Sequence, residues 1–195
     1  MTNFQLVLAS TSKYRQQLIA KLSMPFITAS PDCDETPHEN ESPECLVTRL
    51  AKTKAESCTV DQPSLIIGSD QVCVIDGKII GKPLNRQSAI EQLSSQSGKV
   101  IQFFTGLAVF NNVSKQSHVH LDTFCVHFRE LTQAQIEYYV DKEKPYDCAG
   151  SFKSEGLGIA LFKKLEGKDP NTLVGLPLID LIEMLNDQGI DVLKA

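Results

Sequence analysis

The sequence predicts an α/β protein: a mixed, twisted β-sheet flanked by helices. Three observations lead there. Short apolar runs of strand length alternate with segments whose apolar residues recur at helical spacing. Adjacent hairpin-like segments, one carrying Asp76-Gly77, put antiparallel pairs into that alternation. Across 195 residues there is no internal repeat and no low-complexity linker, so residues 1–195 read as one domain, or as two closely packed lobes with a sizeable core.

The elements follow in order. Leu6-Val7-Leu8-Ala9 is a buried strand that runs into Ser10-Thr11-Ser12, a helix start with Ser12 as cap. Tyr14, Leu18, Ile19 and Leu22 give residues 12–22 helical spacing, and 26–29 form a second strand. Residues 31–43 are polar, acidic and interrupted by prolines, hence a loop. Ser42-Pro43-Glu44 opens a helix whose apolar face is Leu46, Val47, Leu50, Ala51 and Ala55. A strand over 64–70 ends in polar residues. Residues 71–75 and 78–80 then form a hairpin around Asp76-Gly77, the dipeptide a type I′ turn favours. A helix over 85–97 stops at Gly98. Strands at 100–110 and 118–128 precede a helix over 132–142 capped by Thr132. Gly-rich strands are expected over 150–165, and a last helix from about 174 to 186.

A formal charge of −5 excludes a global basic field of the kind that gathers nucleic acid. A protein of this charge that handles phosphates must concentrate its cations locally or use a metal. The first residues read as an opening strand rather than a signal peptide, and no run reaches the length of a membrane helix, so a cytoplasmic location is expected. The six cysteines are widely spaced with no C-x-x-C pair, and reduced thiols, mostly small buried side chains, are expected.

Several residues can carry chemistry. A strand that stops in Ser10 and Ser12 and opens a helix offers free backbone N–H groups and the positive end of a dipole, with Lys13 and Arg15 as countercharge. Asp32, Asp34 and Glu35 share one loop. Asp70 ends the apolar run Leu65-Ile66-Ile67-Gly68, and strand ends are where open α/β sheets bind ligands. Oxygen ligands on separate segments suit Mg²⁺ or Mn²⁺ held jointly with substrate phosphates. Lys52 and Lys54 lie on the second helix, and Lys82 is set between Gly81 and Pro83. His118 and His120 alternate on a strand, but no third metal ligand accompanies them.

The ordered set Leu8-Ala9-Ser10-Thr11-Ser12-x-x-Arg15, Asp34-Glu35, Ala51-Lys52-x-Lys54-Ala55, Gly68-Ser69-Asp70, Gly81-Lys82-Pro83, Gly150-Ser151-Phe152 and Asp169-Pro170-Asn171-Thr172-Leu173-Val174-Gly175-Leu176-Pro177 resembles the Maf family almost end to end. The resemblance implies a Maf/ITPase-like fold with two lobes around a deep cleft, a homodimer, and release of pyrophosphate from a nucleoside triphosphate with a divalent metal. It implies that Asp70 accepts the proton of the attacking water, that Glu35 and Asp70 serve the metal, and that Ser10, Ser12, Arg15, Lys54 and Lys82 handle phosphates.

Tyr14, Gln71 and Glu155 occupy the family's specificity positions. Many relatives have Ser-Pro-Arg-Arg where this chain has Ser12-Lys13-Tyr14-Arg15. The set resembles the branch that hydrolyses 7-methyl-GTP rather than the dTTP/UTP branch. Methylated guanine is a cation, which an aromatic face attracts, and a carboxylate at position 155 can accept from guanine's ring N–H and amino group. Pyrophosphatase activity on dTTP, UTP or other nucleotides, and a nucleotide-binding role in septum formation, are the competing readings.

Overall fold

The computed structural model describes residues 4–194. Its order is β1 (Gln5–Ala9), α1 (Lys13–Ala20), β2 (Phe26–Ala29), α2 (Pro43–Ser57), β3 (Ser64–Ile75), β4 (Lys78–Ile80), α3 (Arg86–Gln96), β5 (Val100–Asn111), β6 (Gln116–Phe128), α4 (Gln133–Glu143), β7 (Phe162–Gly167) and α5 (Leu178–Asp187), with 3₁₀ turns at Ala149–Ser151, Leu157–Leu161 and Pro170–Val174. Among the described residues one seven-stranded sheet runs β2-β1-β3-β5-β6-β7, with β4 added to β3. β1 pairs parallel with both β2 and β3, whereas β3–β4 and β6–β7 are antiparallel. The sheet is therefore mixed, as expected. The part of the opening-strand expectation that falls on residues 1–3 lies outside the described residues.

Local signals place most boundaries. The Ser12 and Ser42 hydroxyls accept from the backbone N–H groups of Arg15 and Cys45, and Pro43 takes the first turn of α2. Asn85 caps α3, and Thr132 with Gln135 forms a complete capping box on α4. Asp76 and Gly77 both have positive φ (50° and 75°), the signature of the type I′ hairpin.

Two compact units can be distinguished. The first takes the chain through Gln71, then Thr105–Asp122 and from Gly175 onward; its buried cluster includes Val7, Ala9, Ala51, Ala55, Cys58, Ile66 and Ala108. The second comprises Val72–Phe104 and Thr123–Val174, with a core around Phe103, Phe128, Phe152 and Phe162, whose rings meet edge to face.

In the first unit α2 lies unusually close to the sheet. A Cβ on Gly68 would fall 2.1 Å from the Ala51 carbonyl oxygen, and one on Gly106 2.1 Å from that of Val47. Only glycine permits this approach of backbone to backbone, and it sets the depth of every side chain on the inner face of α2.

The structure corrects four expectations. The strand expected over 64–70 does not end at Asp70; β3 is a single twelve-residue strand, and Ser69 and Asp70 are buried within it. The polar triplet Ser69-Asp70-Gln71 breaks the apolar run in sequence, but partners from elsewhere satisfy it. Residues 150–165 are mainly turns, with strand only from Phe162, because the backbone N–H groups of Lys153 and Leu157 are taken by Tyr139 and Glu143 of α4 rather than by a neighbouring strand. The last helix starts at Leu178 rather than about 174, since Gly175 (φ 94°) and Pro177 separate it from a preceding 3₁₀ turn. All six cysteines carry free thiols, but Cys45 is exposed on α2 rather than buried.

Candidate functional site

The first unit assembles a charged cluster from three segments. Lys54, one turn before the end of α2, is almost fully buried because α2 sits so close to the sheet. Its Nζ donates to Asp70 Oδ1 at 2.7 Å and to Glu35 Oε2 at 2.9 Å. Asp70 is 9% exposed, while the Glu35 side chain is 58% exposed. One ammonium therefore holds a buried carboxylate and an open one together.

The strand geometry explains the position of Asp70. The β1 ladder on β3 ends at Leu8–Ile67, and the β4 ladder begins at Cys73. Asp70 sits in the interval separating those two partners. A ladder end does lie close by, but in the middle of a strand rather than at its terminus.

Arg15 completes the cluster. Its Nε donates to the Gly175 carbonyl at 2.8 Å. Desolvation lowers its pKa, and the negative charges of Asp70 and Glu35 oppose that shift, so the guanidinium lies within their field. Gly175 O also receives the Ser69 hydroxyl at 2.8 Å, which in turn lies 2.8 Å from Gly106 O. One carbonyl thus aligns Arg15 on α1 with the residue preceding Asp70. Sequence reading assigned Ser69 no role beyond its place in a motif; its signal was a hydroxyl inside an apolar strand beside an acid.

At the entry to α1, Ser10 Oγ accepts from Ser12 N at 3.1 Å, and Ser12 Oγ from Arg15 N at 3.5 Å. Both hydroxyl oxygens are engaged as acceptors, and each retains an O–H to donate. Tyr14 is half-buried on α1. Gln71, next to Asp70, donates from Nε2 to the buried Thr105 hydroxyl at 2.9 Å, which fixes its amide; Thr105 was not anticipated from sequence. The 31–43 loop is tied to α2 by Arg49, which bonds both Glu41 oxygens at 2.6 and 2.7 Å and Thr36 O at 3.1 Å.

The structure thus brings Arg15, Glu35, Lys54 and Asp70 together. Lys82 and Glu155 belong to the second unit and are exposed, Lys82 in the segment after β4 and Glu155 in a turn after α4. Asp34 accepts from Thr36 N at 2.9 Å and serves its own loop. His120 faces Asp180 at 3.3 Å.

Among the described residues no three His, Cys, Asp or Glu side chains form a metal-holding group. Asp70 and Glu35, with oxygens meeting at one cation, instead fit the mode in which one or two carboxylates and substrate phosphates share a hard ion.

A family model described as Maf-like protein matches residues 5–188. A 7-methyl-GTP pyrophosphatase of Vibrio parahaemolyticus is 68% identical over 193 residues, covering 99% of this chain and all of that protein. One of Vibrio cholerae, with the same name, is 62% identical at the same coverage. Among solved structures, the Ham1 protein of Staphylococcus aureus superposes with a TM-score of 0.53 at 13% identity, covering 95% of this chain and all of that one, a likeness of fold. On motif order, a family match over residues 5–188 and relatives of this identity, the chain belongs to the Maf family.

Proposed function

We propose that this protein hydrolyses 7-methyl-GTP to 7-methyl-GMP and pyrophosphate. The observation that carries the reading is the buried Asp70 held on Lys54 beside Glu35, in a chain 68% identical to a 7-methyl-GTP pyrophosphatase. Asp70 takes the proton of a water that attacks the α-phosphorus; the bond to the bridging oxygen breaks and pyrophosphate leaves. Lys54, Arg15, Lys82 and the Ser10 and Ser12 hydroxyls hold the phosphates. Glu35 and Asp70 are the residues that would hold Mg²⁺ or Mn²⁺, which when bound supplies countercharge for the departing pyrophosphate.

Tyr14, Gln71 and Glu155 select the base. An aromatic face attracts the cationic ring, a contact worth roughly 1–2 kcal/mol in a partly dry site. Glu155 accepts from guanine's adjacent donors, which adds about 1–3 kcal/mol. Neither term favours a neutral pyrimidine. Residues 1–195 act as one functional domain, and by family resemblance we infer a cytoplasmic homodimer. Among the described residues no helix is long and apolar enough to cross a membrane.

The deciding experiment is pyrophosphate release from 7-methyl-GTP, GTP, UTP and dTTP on one preparation. A preference in kcat/KM for 7-methyl-GTP over the pyrimidines of about two orders of magnitude or more is expected. Equal rates on UTP or dTTP would remove the base assignment, and an absence of turnover on all four would favour a binding role.

A further inference from the structure

Glu155 stands on a turn with no strand of its own, in the irregular stretch between Ser151 and Leu157. A carboxylate on a loose turn selects poorly, because the freedom it loses on binding offsets the hydrogen bonds it makes. What holds this turn is therefore a question about specificity.

The turn is closed on itself and pinned at both ends. Gly156 N donates to Lys153 O at 3.3 Å, and Ile159 N to Gly156 O at 3.4 Å. A Cβ on Gly158 would lie 2.2 Å from Lys153 O, so the two ends of the turn are in backbone contact. Both pins come from α4. Lys153 N donates to the Tyr139 hydroxyl at 2.9 Å. Leu157 N donates to Glu143 Oε1 at 3.1 Å, and Lys153 Nζ to the Glu143 carbonyl at 2.7 Å. Tyr139 and Glu143 are four residues apart and share one face of α4. They grip positions 153 and 157, and Glu155 lies midway between the gripped residues. Tyr139 is itself buried in the second unit's core, where desolvation pushes its phenol upward and keeps the hydroxyl protonated. The specificity turn is thus fastened to the core through one tyrosine and one glutamate.

We propose that Tyr139 and Glu143 are positioning residues for base selection, acting by clamping the 153–158 turn so that Glu155 is presented in a fixed place. The proposal rests on the reading of Glu155 as the acceptor for the base. It predicts a split between binding and chemistry, because the clamp's hydrogen bonds run to Lys153 and Leu157 and not to the residues proposed to hold the phosphates. It also distinguishes the oxygen of Glu143, which the Leu157 N–H needs, from its charge, which that bond does not.

The test measures kcat and KM for 7-methyl-GTP and UTP on wild type, Glu143→Ala, Glu143→Gln, Tyr139→Phe, Glu155→Gln and the double variant Glu143→Ala/Glu155→Gln. Glu143→Ala should lower the 7-methyl-GTP preference roughly five- to tenfold, the scale of one lost hydrogen bond, through KM rather than kcat. Glu143→Gln, which keeps an acceptor oxygen, should restore most of it. Tyr139→Phe, which removes one oxygen and preserves the ring's packing, should lower the preference in the same way and serves if Glu143→Ala folds poorly. In the Glu155→Gln background, Glu143→Ala should change the preference no further, since both act through one contact. A wild-type preference that Glu155→Gln erodes but Glu143→Ala and Tyr139→Phe leave intact overturns the clamp alone. Losses that add in the double variant also overturn it. A wild type without preference, or one that Glu155→Gln leaves unchanged, overturns the reading of Glu155 and the clamp with it.

Discussion

At the scale of single residues, Lys54 and Asp70 form a buried pair with Glu35 as the exposed third member. Asp70→Asn keeps the size and most of the hydrogen bonding but removes the proposed base. Turnover should fall by about two to four orders of magnitude, the range for loss of a general base. The variant should still fold, with a lowered thermal transition, because the buried Lys54 ammonium keeps only part of its countercharge; near-wild-type turnover would show that Asp70 is not the base. Ser69→Ala tests a subtler point. Its hydroxyl has one proton and two carbonyls at 2.8 Å, and one of these also takes Arg15. Removing the hydroxyl should cost about 1–2 kcal/mol in a denaturant titration and raise KM for the nucleotide, since the Gly175 carbonyl that places Arg15 loses a partner. Asp70, Lys54 and Arg15 were legible in sequence because each stands in a motif. Ser69 and Thr105 were assigned no role, because a buried hydroxyl's partners come from segments distant in sequence that no local pattern records.

At the scale of elements, α2 and its preceding loop form the working part of the first unit. The helix was legible because its signals are local: a serine cap, a proline in the first turn and one apolar face. Its depth was not, because that depends on Gly68 and Gly106 in two other strands. Gly68→Ala forces a methyl against the backbone of α2. It should destabilise by about 1–3 kcal/mol, read as a lower denaturant midpoint, and reduce turnover by lifting Lys54 away from Asp70. The 31–43 loop depends on charge. The Arg49 fork, then the His38 N–H, bring the pKa of Glu41 down from 4.5 to about 2. A lowered value means that the folded state favours the carboxylate. The loop's anchorage is therefore fully present above the ordinary glutamate range and is lost as pH falls toward 2. Carboxyl-carbon NMR should show Glu41 titrating well below the ordinary glutamate value; a midpoint near 4.5 would mean that the fork does not hold in solution.

At the scale of the molecule, the chain carries a net charge of −5 while the proposed substrate is strongly anionic. The local cations Arg15 and Lys54 face Asp70 and Glu35, so much of their charge is already answered. Exhaustive chelation should therefore abolish turnover, and Mg²⁺ or Mn²⁺ should restore it. Full activity after chelation would leave the two carboxylates without a metal role. The α/β class and the mixed sheet were legible because strand-length and helix-length patterns alternate with a clear hairpin signal. The 150–165 stretch was not. Its glycines fit strand and turn equally in sequence, and only the contacts of Tyr139 and Glu143 decide for the turn.

The place of Asp70 within a twelve-residue strand has a consequence for exchange with solvent. Catalytic groups on loops share the small opening energies of those loops. The backbone of Asp70 belongs instead to the strand whose flanking residues Ile66, Ile67 and Cys73 have no exposed surface. Amide protons along β3 should therefore be among the slowest in the protein to be replaced by deuterium, while those of the Glu35 loop exchange early. The site would then join a carboxylate whose backbone opens only with the fold to one on a loop that opens more readily.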